Sequence, residues 1–527
     1  MATAPRHWLE RYHVAVWPLL NFAVLGLIVM GSMTHGNDTG QIVYVSVLTA
    51  ICSLPMLFLR GWNDRHVLLA IIMGMYFLDF GALDLSILVV GTDVRHVRTE
   101  FLSPTELAVL LGAILMLTTY LFGAGLARGE DVAARARAER GLALPEWSTA
   151  TQLILGTGLW LTGTGAMVYM EVFAAPEKTA HAAESAMTEM GPVLVFMVML
   201  AHMMQPLGIL ILSYGYAKRR TVLWTSLIIA VVLIEVAAGF VMDVKRVALM
   251  GAALVILTRT LVDNRLPKAW ILCSVAALSL MFPVFQAYRT EITDERGLDR
   301  LQALQELPKV LSIAMQSAEK DQKRVDPEER PQSFLERSSV KGALESLFLH
   351  VPREVPYLGG KSLVALPMAF VPRLIAPDKE DVSAGLLYSQ MILKFHGDTY
   401  ISISHLGELY WNFGWLGILL GIPIAGTLLG FVGARFNLEH GTSVTRILVL
   451  LATAQSLCIE FEGTIPVSYV LWLRGMAAIG LLHLLFARRG RLTAPAPASV
   501  APEPEQQPAG LALLPRISAP RFPNLMR

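Results

Sequence analysis

The stretch 370–385, FVPRLIAPDKEDVSAG, carries an arginine and a lysine on a backbone stiffened by two prolines. Pro372 confines Val371 to extended conformations, and Pro377 does the same for Ala376. Arg373 and Lys379 are therefore held on a stiff segment. Preorganised cations stabilise the charge that builds on a pyrophosphate leaving group as its bond to a sugar breaks. Arginine brings a bidentate fork to such a group and lysine a mobile point charge. The same two cations can instead pair with Asp378, Glu380 and Asp381 in a proline-rich turn, so the residues alone leave both roles open.

Downstream runs LKFHGDTYISISHLGELYWNFGWLGILLG, in which His405 and Glu408 stand three apart, on one face of a helix. A histidine and a carboxylate so placed can act as a general base. They can also form half of a zinc site, but no third ligand stands at diagnostic spacing, so no metal is assigned. The remaining alternative is a hydrogen-bonded helix start. Tyr410, Trp411 and Trp415 suit an interfacial aromatic belt. No phosphate-binding glycine loop, dinucleotide fingerprint, GxSxG elbow or HExxH occurs, which disfavours ATP-driven, serine-hydrolase and zincin chemistry and calls for no cofactor.

These residues must be held by apolar helices. Only 16% of the chain is charged, and mean hydropathy is +0.53; a soluble domain carries about 25% charge. Repeated apolar runs of about 20 residues predict an all-α polytopic membrane protein. About twelve spans are expected, near 14–33, 42–59, 67–90, 107–127, 150–173, 191–215, 221–242, 247–262, 269–288, 415–434, 446–463 and 466–486. Only Gly463, Thr464 and Ile465 separate the last two, as in a tight hairpin. Four regions follow: a nine-helix membrane region (1–288), a large extracytoplasmic loop between helices 9 and 10 (289–414), C-terminal transmembrane helices (415–490) and a Pro/Ala-rich disordered tail (491–527). The N-terminal segment lacks a cleavage pattern and is expected to be an anchor. Cys52, Cys273 and Cys458 lie far apart within apolar runs and are expected in the core.

Lysine and arginine gather in RGWNDR, RGEDVAARARAERG, AKRR, RTLVDNRLPK and ARRGR, which places these loops and both ends inside. Two short outer loops break the rule with Arg95, Arg98, Lys245 and Arg246, explained either by an anionic ligand or by salt bridges at the rim. The outer loop holds 15 Lys/Arg against 18 Asp/Glu, so it is not uniformly basic. Net charge is +1, which names no nucleic-acid partner. The loop begins with an amphipathic segment kinked near Pro308, suited to lie on the membrane. Between Arg337 and Lys379, the cations Arg337, Lys341, Arg353, Lys361, Arg373 and Lys379 face only Glu345, Glu354 and Asp378. Inside the apolar runs, Asp79, Asp84, Glu171, His202, Glu235, Glu460, Glu462 and Arg474 should face protein or water, with internal pairing the default, Arg474 with Glu460 or Glu462.

The ordered set Arg337, Pro356, Tyr357, Gly360, Ser362, Pro372, Arg373, Pro377, Lys379, Gly407, Tyr410, Asn412, Phe413, Gly414 and Gly417 resembles Wzy-type oligosaccharide repeat-unit polymerases of bacterial envelopes. The likeness covers about 80 residues; one departure is Glu380, where the family often has proline. The resemblance implies a multi-pass glycosyltransferase of the bacterial inner membrane with its active site facing the periplasm. Its substrates would be undecaprenyl-pyrophosphate-linked oligosaccharides, its surroundings membrane lipid, and its protein partner a chain-length regulator. Arg373 would stabilise the leaving group, with Lys245, Arg246, Arg289, Arg337, Arg353 and Lys379 contacting pyrophosphate. His405 or Glu408 would take the proton of the attacking hydroxyl. An O-antigen ligase-type enzyme and a transporter or flippase are the alternatives.

Overall fold

The computed structural model describes residues 8–35, 39–90, 101–127, 146–169, 192–242, 245–274, 339–368, 383–395, 400–439 and 441–487, with a few isolated positions between. Among these residues the regular structure is helical, with no strand. Helices α1 (Trp8–His35), α2 (Thr39–Ser53) and the short α3 (Pro55–Phe58) come first. Then α4 (Val67–Phe80) and α5 (Ala82–Val90) form one apolar run bent by 53° at Gly81. The long helices α6 (Pro104–Leu126), α7 (Thr149–Tyr169), α8 (Pro192–Lys218), α9 (Val222–Met242) and α10 (Lys245–Asp263) follow.

Four short helices then precede the C-terminal group: α11 (Lys341–His350), α12 (Lys361–Met368), α13 (Ala384–Met391) and α14 (Ser404–Phe413). The group itself is α15 (Trp415–Arg435), α16 (Val444–Thr453) and α17 (Ile465–Phe486). A π turn (Ala454–Cys458) and a 3-10 turn (Ile459–Glu462) extend α16.

Six described segments are long and apolar enough to cross a membrane: 39–58, 104–126, 222–239, 415–435, 444–462 and 465–486. The bent α4–α5 pair makes a seventh if it counts as one span. Helices α1, α7, α8 and α10 lie where four more spans are expected. The expected span at 269–288 lies largely outside the described residues, as do the amphipathic segment, Glu171 and the tail.

Local sequence explains the key boundaries. Ser103 caps α6 by accepting from the Glu106 amide at 3.2 Å, while Glu106 Oε2 accepts from the Ser103 amide at 3.0 Å. Pro104 fills the first turn, where no amide donor is missed. Helices α6 and α15 approach backbone to backbone: a Cβ at Gly123 would run into the Thr427 carbonyl, and one at Gly430 into the Tyr120 carbonyl. Small residues permit this close packing of apolar helices. The hairpin of α16 and α17 is held by Trp472 Nε1 donating to Thr453 Oγ1 at 2.9 Å and by a 2.8 Å contact between Thr445 Oγ1 and His483 Nδ1.

Two expectations are corrected. Helix α14 lies in the core, not in an interfacial belt: Trp411 is fully buried and Tyr410 nearly so, while only Trp415 is part-exposed. The cause is sandwiching, since Gly407 faces Leu344 and Leu347 of α11 and Leu406 meets Gly112 of α6. Cys52 and Cys458 are buried as expected, but Cys273 is exposed.

Candidate active site

The stretches 357–362 and 407–417 are about 50 residues apart in sequence and meet at the C-terminus of α14. The Leu358 amide donates to the Trp411 carbonyl at 2.9 Å, and the Gly359 amide to the Asn412 carbonyl at 3.1 Å. Asn412 completes the staple with its side chain: Oδ1 accepts from the Gly360 amide at 3.0 Å, and Nδ2 donates to Ser362 Oγ at 2.7 Å and to the Glu408 carbonyl at 2.8 Å. A buried amide so fully used fixes the loop against the helix. Gly414 then turns the chain into α15 at φ 62°, ψ −146°, a conformation that disfavours any side chain. A Cβ there would also come within 3.1 Å of the Tyr357 hydroxyl.

Around this joint stands an aromatic group. Phe348 stacks on Tyr410 with centroids 3.9 Å apart, and Tyr357 meets Tyr410 edge-on at 6.2 Å. Tyr357 and Trp415 remain part-exposed, and Arg353 and Lys361 are exposed nearby in sequence.

His405 and Glu408 are both buried, and each finds its partner on the α16–α17 hairpin. Ser468 Oγ donates to the Glu460 carbonyl at 3.2 Å, so its 3.1 Å contact with His405 Nε2 requires the proton on Nε2. Burial pushes His405 down to about 3, which keeps the imidazole neutral near pH 7. Glu408 Oε2 accepts from the Ile465 amide at 2.6 Å, at the N-terminus of α17, where the helix dipole favours negative charge. Its Oε1 makes no hydrogen bond. Burial raises the Glu408 carboxyl, and the Ser362 hydroxyl and Ile465 amide act against that rise.

Lys341, expected as an outer-loop cation, is instead buried. Its Nζ lies 2.7 Å from Asp84 Oδ2 and 3.2 Å from Glu106 Oε1, with the Tyr44 ring 4.5 Å below. Glu345 stands at the edge, 3.8 Å away. The Val340 amide donates to the Asp79 carbonyl at 3.1 Å, so α11 is pinned to α2, α4, α5 and α6 at one place. Asp84 thus pairs internally as expected. Glu106 was recognisable only as the fourth residue of the capping signature Ser-Pro-Thr-Glu.

Glu235 is also fully buried, held by neutral donors from two helices. Trp160 Nε1 and Thr164 Oγ1 of α7 each donate to Oε1 at 2.7 Å, and Gln205 Nε2 of α8 donates to Oε2.

Arg289, Arg337, Arg373 and Lys379 lie outside the described residues, and so do the side chains of Lys245 and Arg246 in the first turn of α10. Among the described residues no cluster of three His, Cys, Asp or Glu could hold a metal. No family model, characterised protein or solved structure matches this chain.

Proposed function

We propose that the chain is a lipid-linked-donor glycosyltransferase of the bacterial inner membrane that polymerises undecaprenyl-pyrophosphate-linked oligosaccharides into a surface polysaccharide. The anomeric carbon–oxygen bond to the lipid pyrophosphate breaks, and a glycosidic bond forms to a hydroxyl of the next lipid-linked unit. The hydroxyl proton passes to a base, and the lipid pyrophosphate leaves as an anion.

The staple between Leu358–Ser362 and Trp411–Asn412 carries this reading. It joins two of the stretches that resemble the polymerases into one packed unit, with part-exposed Tyr357 and Trp415 available to lie against sugar rings. Glu408 is the better base of the two candidates, because Oε1 is unpartnered and a raised carboxyl binds a proton more strongly. His405 already spends its Nε2 proton on Ser468. Glu408 is fully enclosed, so a hydroxyl reaches it only when the elements packed around α14 shift. Arg373 is assigned to the leaving pyrophosphate, with Lys245, Arg246, Arg289, Arg337, Arg353 and Lys379 as further contacts.

Deleting the gene and resolving the surface glycan by size tests this function. The expected result is collapse to single attached repeat units, rescued by the wild-type copy but not by Arg373→Ala, since removing one charge-stabilising contact costs on the order of a hundredfold in rate. Loss of all attached glycan would point to ligase chemistry, and an unchanged length distribution would overturn the assignment.

A further inference from the structure

A polar cavity lies at the end of α15 away from the candidate active site. It has a volume of about 160 Å³ and is lined by Leu57, Phe58, Arg60, Asp64, Arg65, His66 and Glu439. The candidate active site adjoins the N-terminus of α15, and the cavity adjoins Glu439, just past its C-terminus. A helix of 21 residues is ~31 Å long at 1.5 Å per residue, about the thickness of a bilayer core. The two sites therefore belong to opposite membrane faces, and this inference does not depend on the polymerase reading.

The cavity walls are firmly built. Asp64 is buried, accepting from the Arg60 amide at 3.0 Å through Oδ2 and from the His66 amide at 2.9 Å through Oδ1. The Tyr120 hydroxyl donates to the Arg65 carbonyl at 2.7 Å, and the Leu438 amide to the Asn63 carbonyl at 3.2 Å. The second bond ties the segment carrying Glu439 to the loop carrying both arginines. Against these satisfied groups, His66 Nδ1 is buried without a hydrogen-bond partner. Burial also pushes His66 down to about 4, so the ring is neutral and has one N–H to give. A cavity of about 150 Å³ admits a six-membered ring, so this one has room for a phosphate-sized group.

The lining balances two arginines against Asp64 and Glu439, which suits a group carrying both charges better than a simple anion. Its apolar wall is Leu57 and part-exposed Phe58, the last turn of the apolar segment 39–58, where lipid headgroups meet acyl chains.

We infer that this cavity binds the headgroup of a zwitterionic, primary-amine phospholipid from the leaflet opposite the candidate active site. The phosphate lies against Arg60, Arg65 and His66, the ammonium faces Glu439, and the acyl chains run along Leu57 and Phe58.

The full-length protein, purified in detergent and stripped of lipid, is titrated with phosphatidylethanolamine, phosphatidylglycerol, phosphatidylcholine and inorganic phosphate, and bound species are counted by native mass spectrometry. Phosphatidylethanolamine is expected to bind in preference to the other two lipids and to resist displacement by phosphate. Arg60→Gln and Glu439→Gln, each judged on protein that remains monodisperse, should each weaken it roughly tenfold or more, the worth of one charge-assisted hydrogen bond. Arg60 is exposed, so its replacement leaves the fold intact. Equal binding of phosphatidylglycerol with no effect of Glu439→Gln would reduce the cavity to an anion site and overturn the inference. Displacement by phosphate alone, or retention of phosphatidylethanolamine by both variants, would overturn it equally.

Discussion

His405 and Glu408 share one face of α14, as their spacing predicts, yet they divide the work through different partners on α17. The spacing was legible because it depends only on helical geometry. Their partners were not, since Ser468 is 63 residues from His405 and Ile465 57 residues from Glu408. Burial has a measurable consequence at His405. The folded imidazole titrates at about 3, whereas an unfolded one titrates near 6.5. Between those values the unfolded chain binds the extra proton, so stability falls as pH drops, by about 1.4 kcal/mol per unit. His405→Gln should flatten this slope in thermal melts of the purified protein between about pH 4 and 6.5; parallel slopes would contradict the assignment. Asn412 is the second decisive residue. Asn412→Ala leaves the Gly360 amide and Ser362 without their buried partner and should cost about 1–3 kcal/mol. Chemical unfolding measures that loss, and a change under about 0.5 kcal/mol would show that the staple is not holding the loop.

At the scale of elements, hydropathy located most of the long helices to within a few residues, because a continuous apolar run has few other ways to be buried. It misjudged the short ones. Helix α14 carries aromatic residues that suit an interface, but α6 and α11 close over them. Lys341 looked like one of six outer cations because its partners, Asp84 and Glu106, lie 257 and 235 residues away. Its burial makes it the anchor of α11. Lys341→Met leaves two carboxylates buried without their cation and should destabilise by about 3–5 kcal/mol. The triple change Lys341→Met, Asp84→Asn and Glu106→Gln removes the unpaired charge and should recover much of that loss, read by the same unfolding measurement. Failure to recover would mean that packing of the lysine stem, and not charge, holds the helix.

For the whole molecule, the distribution of lysine and arginine predicts an orientation, and the two ends of α15 make that prediction testable. On the orientation proposed above, Lys361, exposed beside the candidate active site, is expected outside, and Arg220, exposed between α8 and α9, inside. A cysteine at Lys361 should react with an impermeant maleimide in intact spheroplasts, and one at Arg220 only after permeabilisation; the reverse pattern would invert the topology. The central claim is that proton transfer at Glu408 drives glycosyl transfer. The most direct measurement is the length distribution of the surface glycan in a deletion strain carrying Glu408→Gln at wild-type membrane levels. Loss of a general base slows a step about a hundredfold or more, so single repeat units should replace long chains. A normal ladder of chain lengths would contradict the account.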